Sequence, residues 1–206
     1  MQKITLPQFI KNYWDYYLEL EDQLLSTKKY VDFDKSNFKT FSIEYLKLLQ
    51  AACSEIDVVA KILADYCDSS FKKLQNINIQ KWGLVIQQTF PDIENISVSF
   101  INDTVITPWQ NWEYEKYTDH NNKQRYRLKK GKATPTWWTA YNEVKHERTT
   151  TDKNGRSNYS KANLENLTSA MAALFIIETK FIERLSADND RITFAKSKMF
   201  SKPQTV

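Results

Sequence analysis

The residues around His146 concentrate the side chains of this chain that could do acid–base chemistry. His146 is one of only two histidines, and Asn142 lies four residues before it. Histidine is the side chain best suited to proton transfer near neutral pH, so His146 is the candidate acid or base. If residues 137–149 form a helix, Trp138, Asn142 and His146 share one face, because residues four apart lie one above the other. We therefore expect Asn142 to position either the substrate or His146.

Structural roles compete with this interpretation. His146 would equally serve as a helix cap or as a bridge between helices, and Asn142 would tie its helix to a neighbouring backbone group. We expect Trp137 and Trp138 to be core anchors rather than base-stacking platforms, since aromatic side chains on helices usually bury their area.

Long helices must position this short segment. We expect the first helix to run from a cap at Thr5 to about Thr27. The longest follows a cap at Ser42, and its apolar residues recur at spacings of 4 and 3, which is typical of a helix packed in a bundle. These residues are Tyr45, Leu49, Ala52, Ile56, Val59, Leu63 and Tyr66.

Further helices are predicted over residues 77–90 and from about Ala162 onward. The apolar stripe of the last helix contains Glu178, and a carboxylate that faces a core needs a partner. We expect this partner to be Lys145, Arg148 or a tyrosine hydroxyl. Thr136 is expected to cap the short helix, because the residue before it is a proline.

Residues 95–132 depart from the helical period. Apolar residues alternate with serines from position 96 to 100, which predicts a strand. Two further alternating runs flank the polar residues 118–123 and predict a β-hairpin. One face of this hairpin is basic and is expected to contact a polyanion, with a solvated surface as the alternative. Its residues are Arg125, Arg127, Lys129 and Lys130.

The remaining segments predict surface structure. Residues 149–160 are rich in Thr, Asn, Ser and Lys, and are typical of a mobile surface loop. From Asp188 onward there is no clear period, and we expect residues 198–206 to be frayed. The chain thus reads as one helical domain over residues 1–206, with a β insertion at about residues 95–132.

Charge and composition narrow the range of functions. The net charge is +4, yet residues 120–161 carry eleven basic and three acidic side chains, a net charge of +8, which favours a polyanion such as RNA as partner. Two histidines and two separated cysteines cannot build a zinc site of the usual spacing, and no carboxylate cluster predicts magnesium. No glycine-rich loop could hold nucleotide phosphates. We therefore expect neither a metal nor a cofactor.

The sequence also bears on localisation. It contains no apolar stretch of about 18 residues and no signal-peptide pattern, so we expect a protein without a membrane partner. Cys53 and Cys67 lie on one predicted helix, about 21 Å apart, which is too far for a disulfide. They are interpreted as small hydrophobic residues in a reducing compartment, and we expect the protein to be cytoplasmic.

Residues 141–146, Tyr-Asn-Glu-Val-Lys-His, resemble the Arg-Asn-x-x-x-His motif of HEPN domains, which are helical bundles of bacterial toxins and abortive-infection proteins. The order of the predicted helices is similar as well: a long helix, a longer one, then the short motif helix before a long final one. The resemblance implies a mainly α, HEPN-like bundle with a small β-hairpin insertion. It further implies metal-free cleavage of RNA by two motifs that meet in a homodimer.

One position departs from the family motif, since Tyr141 stands where HEPN domains have arginine. That guanidinium would stabilise the negative charge of the transition state, and Lys145 or Arg148 would have to replace it. The resemblance thus predicts a bacterial defence or toxin-type protein acting on RNA, as a metal-independent ribonuclease with His146, Asn142 and Tyr141 as its catalytic positions. Lys145 and Arg148 would then bind nucleic acid together with the basic hairpin.

Two alternatives remain open. The missing arginine favours a non-catalytic HEPN-like interaction module, which binds protein or nucleic acid through the hairpin and the loop over residues 149–160. The high aromatic content is also compatible with a small-molecule sensor between the helices.

Overall fold

The computed structural model of the chain describes residues 4–186 and 193–205, without the side chain of Asn102. Its α-helices are α1 (Leu6–Phe9), α2 (Asp15–Ser26), α3 (Ile43–Cys67), α4 (Ile79–Thr89), α5 (Thr136–His146) and α6 (Leu164–Ser186). Its strands are β1 (Ile96–Phe100), β2 (Thr104–Ile106), β3 (Tyr114–Thr118), β4 (Gln124–Leu128) and β5 (Gln204–Thr205). Helices dominate, which confirms the predicted mainly α class.

Side-chain caps explain where the long helices begin. Ser42 Oγ accepts a hydrogen bond of 3.0 Å from the backbone N–H of Tyr45, so the predicted cap of α3 is confirmed. Asn163 Oδ1 accepts a hydrogen bond of 3.0 Å from the Asn166 N–H at the start of α6. Between α1 and α2 the helix continues through a π-helical segment, Ile10–Trp14.

Helix α6 lies at the centre of the bundle and contacts α1, α2, α3 and α5. Every residue from 170 to 178 is buried, as expected for a helix that is enclosed on all sides. The predicted apolar stripe of α3 is buried as well, apart from the half-buried Tyr66. Within residues 4–186 and 193–205, no helix combines the length and the apolar character needed to cross a membrane.

A cluster of five tryptophans joins α4, α5 and the segment before β3. Its members are Trp82, Trp109, Trp112, Trp137 and Trp138. Trp137 Nε1 donates a hydrogen bond of 2.9 Å to the Pro108 carbonyl. All five are buried, so the predicted core role of the two tryptophans on α5 is confirmed. This cluster fixes α5, the helix of the candidate site, against α4.

The predicted hairpin is confirmed as β3 and β4, which pair antiparallel with Lys116 opposite Tyr126. Its base is attached to α4 by the buried side chain of Gln87. Gln87 Nε2 donates to the Trp112 carbonyl at 2.8 Å, and Gln87 Oε1 accepts from the Tyr114 N–H at 2.9 Å. The base of the hairpin therefore has a fixed position relative to the end of α4.

The predicted strand β1 belongs to a different, three-stranded sheet. It pairs antiparallel with β2 on one side and with β5, from the end of the described chain, on the other. Met199 and Phe200, just before β5, are buried. The expectation that residues 198–206 are frayed is therefore wrong for residues 198–205. The physical reason is that this segment provides partners for the edge of β1 and for a carboxylate on α2. Asp188 and Val206 lie outside the described residues.

Candidate functional site

Helix α5 begins and ends differently from the prediction. Pro135, not Thr136, is the residue before the first helical turn, and Thr136 is already helical. The helix ends at His146, because Glu147 leaves the helical conformation with φ −134° and ψ 39°. Its last turn is therefore shorter than residues 137–149 suggested, and His146 is its final residue.

A cleft of about 400 Å³ lies between α3, the start of α4 and α5. From α5 it is lined by Trp138, Tyr141, Asn142 and Lys145. Ser54 and Asp57 of α3 form the opposite side, and residues 77–79 form the end. Trp138 and Tyr141 are each 8% exposed, so they form an apolar floor rather than a protruding wall.

Tyr141, at the position of the family arginine, is connected to Lys145. Lys145 Nζ donates a hydrogen bond of 3.2 Å to the Tyr141 hydroxyl and lies 5.3 Å from the centre of its ring. The Lys145 ammonium forms no ion pair with a described carboxylate. Lys145 and Arg148 were the two predicted substitutes for the arginine, and of these Lys145 places its positive charge in the cleft. Arg148 lies outside its lining and donates to the Val144 carbonyl at 3.4 Å.

The side-chain amide of Asn142 uses its nitrogen in a hydrogen bond within α5, whereas its oxygen accepts none from the described residues. Its Nδ2 donates a hydrogen bond of 3.0 Å to the Trp138 carbonyl, one turn earlier in α5. The predicted tie to backbone is thus present, but within the same helix rather than to a neighbour. The Oδ1 atom accepts no hydrogen bond from the described residues, so it is free to accept one from a ligand in the cleft.

His146 does not join Trp138 and Asn142 in the cleft. It is exposed and lies outside the cleft lining, which takes Tyr141 and Lys145 instead. The reason is the helical angle: eight residues leave His146 about 80° from the direction of Trp138, whereas Lys145, seven residues on, is only about 20° away. Among the described residues His146 has no hydrogen-bond partner, so the predicted bridging role is not seen there.

Asp57 connects the cleft to the tryptophan cluster. Its Oδ1 accepts a hydrogen bond of 3.0 Å from Trp82 Nε1, and its Oδ2 contacts the Lys61 ammonium. Both carboxylate oxygens are therefore engaged, and Asp57 acts as a fixed wall. The cleft contains no unpaired carboxylate among its described lining residues that would repel an anion near Lys145.

The basic face of the hairpin is balanced by carboxylates. Arg125 Nε lies 2.9 Å from Asp119 Oδ2, and Arg127 Nε lies 2.7 Å from Glu115 Oε1. Lys129 contacts Glu113 as well. Lys130 is exposed and forms no ion pair with the described residues.

The pKa values of two of these carboxyl groups reflect the pairing. The hydrogen bond from Arg125 holds the pKa of Asp119 below its usual range, and the hydrogen bond from Lys129 does the same for Glu113. Both groups therefore remain charged at neutral pH and neutralise the basic side chains. The sequence carried a signal for this arrangement, because acidic residues alternate in the strand that faces the basic one.

Two lysines that the sequence did not single out lie at the opposite face of the hairpin, one from β3 and one from α4. The ring of Tyr126 has the Lys116 ammonium 5.8 Å and the Lys81 ammonium 5.9 Å from its centre. Lys81 is in the first turn of α4, where its backbone N–H donates to Asn78 Oδ1 at 3.3 Å. Asn78 also lines the cleft. The hairpin therefore adjoins the cleft through the start of α4.

The buried Glu178 does not have the partner expected for it. Neither of its carboxylate oxygens has a hydrogen-bond partner among the described residues, so the expected contact with Lys145, Arg148 or a tyrosine hydroxyl is wrong. Burial, and then the charge of Glu55, raise its pKa well above the usual range. Glu178 is therefore a core residue whose neutral form is favoured by burial, and it does not line the cleft.

Comparisons with known proteins add no identification. No protein-family model, no curated protein and no solved structure matches this chain. The residues that the structure describes also contain no group of three or more His, Cys, Asp and Glu side chains that could hold a metal ion. The resemblance to HEPN domains rests on residues 141–146 and on the order of the helices.

Proposed function

We propose that this protein binds RNA in the cleft between α3, α4 and α5, as a non-catalytic HEPN-like module. The observation that carries the proposal is the combination of an apolar aromatic floor with the Lys145 ammonium, which lacks a carboxylate partner among the described residues. Proteins recognise unpaired RNA bases with aromatic and amide side chains, and phosphates with cations. The resemblance of residues 141–146 to the HEPN motif supports a role in bacterial defence or as a toxin-type protein.

Three features favour binding without cleavage. The position of the motif arginine is occupied by Tyr141, whose hydroxyl is hydrogen-bonded to Lys145. The amide nitrogen of Asn142 is committed to the backbone of its own helix. His146 lies outside the lining of the cleft. A transition state for phosphodiester cleavage needs fixed donors close to its developing charge, and this arrangement supplies only the lysine.

Metal-independent RNA cleavage by a homodimer is the second candidate. It is favoured by the exposure of His146 at the end of α5, where its ring has no hydrogen-bond partner among the described residues. Such a ring is available to a substrate or to a second copy of the chain. In a two-fold symmetric dimer the same surface of each copy contributes, so the two histidines meet at one site when His146 lies beside the two-fold axis.

RNA binding is tested with a fluorescently labelled single-stranded RNA and titration by fluorescence anisotropy. Lys145→Gln should raise Kd and reduce the slope of log K against log salt by about 0.7, the value for one lost phosphate contact on a single strand. Lys11→Gln is the matched control, because Lys11 is another exposed lysine without an ion pair to the described residues, on the π-helical segment. Equal affinity and equal salt slope in the two variants would refute the proposal.

A cleavage assay in the presence of EDTA separates the two candidates. The non-catalytic module predicts that the wild-type protein leaves RNA intact. The second candidate predicts cleavage that His146→Ala reduces by about 10²–10⁴-fold, since this is the usual contribution of proton transfer. Cleavage gained by Tyr141→Arg, and lost again in Tyr141→Arg/His146→Ala, would identify a nuclease scaffold that lacks only its arginine.

A further inference from the structure

The side chains of Lys81, Lys116 and Tyr126 form a surface that we call the hairpin platform. Tyr126 is half-buried, so one part of its ring is fixed against the protein while another faces solvent. The two ammonium groups lie at nearly equal distances from the ring centre, 5.9 Å and 5.8 Å. Lys81 is held in place, since its ammonium donates hydrogen bonds to the Gln75 carbonyl and, at 3.2 Å, to the Asn76 carbonyl.

The two faces of the hairpin have similar side chains but a different charge balance. On the other face the Arg127 guanidinium lies 4.6 Å from the centre of the Tyr117 ring, and Arg127 is paired with Glu115. On the hairpin platform neither lysine forms an ion pair with a described carboxylate. Lys116 also acts on Asp68, whose pKa is lowered chiefly by hydrogen bonds from Ser70 and in smaller part by the charge of Lys116. The platform therefore places two positive charges over one half-buried aromatic ring.

The hairpin platform is adjacent to the cleft. Asn78 lines the cleft, and Lys81 belongs to the same helical turn, with its backbone N–H bonded to the Asn78 side chain. Asn78 and Lys81 are three residues apart, a rise of about 4.5 Å along an α-helix. Neighbouring nucleotides of one RNA strand can therefore contact both the cleft and the platform. Because Asn78 Oδ1 accepts that bond, its amide Nδ2 remains as a donor between the two places.

We propose that the hairpin platform is a second RNA subsite, which stacks an unpaired base on Tyr126 and binds the flanking phosphates with Lys81 and Lys116. The inference rests on the proposed function and adds the class of substrate: a single strand that runs from the platform to the cleft. Bases in a duplex are stacked on each other and cannot lie against a protein ring, so double-stranded RNA would use only the charges. Base–aromatic stacking tolerates any sequence, because every base has a flat face.

The test uses the full chain and four labelled RNAs of equal length: a single strand of uridines, one of adenosines, the same backbone without bases, and a duplex. Tyr126→Ala should weaken binding of both base-containing single strands by roughly 5- to 100-fold, the equivalent of one stacked base. It should leave the abasic strand and the duplex unchanged. Tyr126→Phe, which keeps the ring, should bind like the wild-type protein.

Matched variants on the opposite face provide the control. Tyr117→Ala removes a tyrosine that also lies beside a cation, and it should not alter the affinity for any of the four RNAs. Lys116→Gln should reduce the salt slope of single-strand binding by about 0.7, whereas Arg127→Gln should leave the slope unchanged. Circular dichroism of each variant checks that the hairpin remains folded.

The outcomes separate the subsite from the cleft. If Lys145→Gln weakens binding but Tyr126→Ala and Tyr117→Ala have equal, small effects, RNA binding in the cleft stands and the hairpin platform is refuted. If the wild-type protein binds the abasic strand as tightly as the base-containing ones, base stacking is refuted while phosphate binding stands. If it binds none of the four RNAs, both proposals are wrong.

Discussion

The carboxylate of Glu21 accepts a hydrogen bond of 2.7 Å from the backbone N–H of Lys198, which lies 177 residues further along the chain. The same buried carboxylate accepts hydrogen bonds from the Tyr17 hydroxyl at 2.7 Å and from the Met199 N–H at 3.3 Å, and it contacts the Ser197 hydroxyl. Burying a carboxylate is costly unless such donors surround it. Residues 197–199 are thus fixed to α2 by one side chain.

Glu21→Gln should therefore lower the free energy of unfolding by about 1.5–3 kcal/mol. The NH₂ of the glutamine side chain is itself a donor and would face the donors that surround the carboxylate, and the charge-assisted hydrogen bonds would be lost. Denaturation with urea measures the change. Glu19→Gln is the control, since Glu19 lies on the exposed face of the same helix. A loss of equal size in the two variants would show that the contact with residues 197–199 adds nothing to stability.

Glu178 should make the protein less stable as the pH rises. Burial, and then Glu55, raise its pKa in the folded state above the ordinary value of 4.5. A raised folded pKa means that stability is fully present below the ordinary value and is lost as the pH rises above it, by about 1.4 kcal/mol per unit until the folded pKa is reached. Unfolding measured at pH 5 and at pH 8 should show this loss.

Glu178→Gln should remove that part of the pH dependence and be the more stable protein at pH 8. Glu183→Gln, on an exposed position of the same helix, controls for the loss of one carboxylate. If the stability difference between pH 5 and pH 8 is the same in wild-type protein and Glu178→Gln, then Glu178 does not titrate between folded and unfolded states in that range.

Gly83→Ala should destabilise the protein, although alanine is usually the better helix residue. A Cβ at position 83 would lie 2.6 Å from Trp112 Cζ2 and 3.0 Å from the ring of Tyr114. Overpacking of this kind typically costs about 1–3 kcal/mol. Thermal unfolding measures the effect, and Gln88→Ala on the exposed face of α4 is the control. A higher melting temperature for Gly83→Ala would show that the tryptophan cluster can move aside.

Removing the acidic partners of the hairpin tests its predicted role in RNA binding. Glu113→Gln/Glu115→Gln leaves Lys129 and Arg127 unpaired, so affinity for single-stranded RNA and its salt slope should both increase. The control is Glu44→Gln/Glu183→Gln, which removes two paired carboxylates on distant helices and changes the net charge equally. An equal increase in both double variants would assign the effect to net charge and exclude a hairpin contact.

The features that the sequence predicted well are those with a local repeat. The stripe of α3 was predicted because seven apolar residues recur at helical spacing, and the hairpin because polar and apolar residues alternate on both sides of a turn. The pairing of Arg127 with Glu115 was also within reach, since antiparallel register places alternating acidic and basic residues opposite each other.

The features that the sequence did not predict depend on contacts between distant segments. Nothing in the neighbourhood of Glu21 indicates that its donors come from residues 197–199, and those residues have no period that would predict a bound segment. The cleft was missed for the same reason, since Asp57 and Asn78 reach it from other helices. His146 lies outside the cleft because two steps of four residues turn it about 80° away from Trp138 around the helix.

The position of β5 has a consequence for synthesis on the ribosome. Translation proceeds from the N-terminus, so α2 leaves the exit tunnel long before residues 197–205 have been made. Until then the carboxylate of Glu21 lacks the backbone donors of residues 198 and 199 and remains hydrated. The edge of β1 that pairs with β5 has no neighbouring strand. The helices of the bundle can form early, but β5 can pair with β1 only after residue 205 has emerged. A nascent chain stalled before that point would expose the apolar surface that Met199 and Phe200 cover in the finished protein.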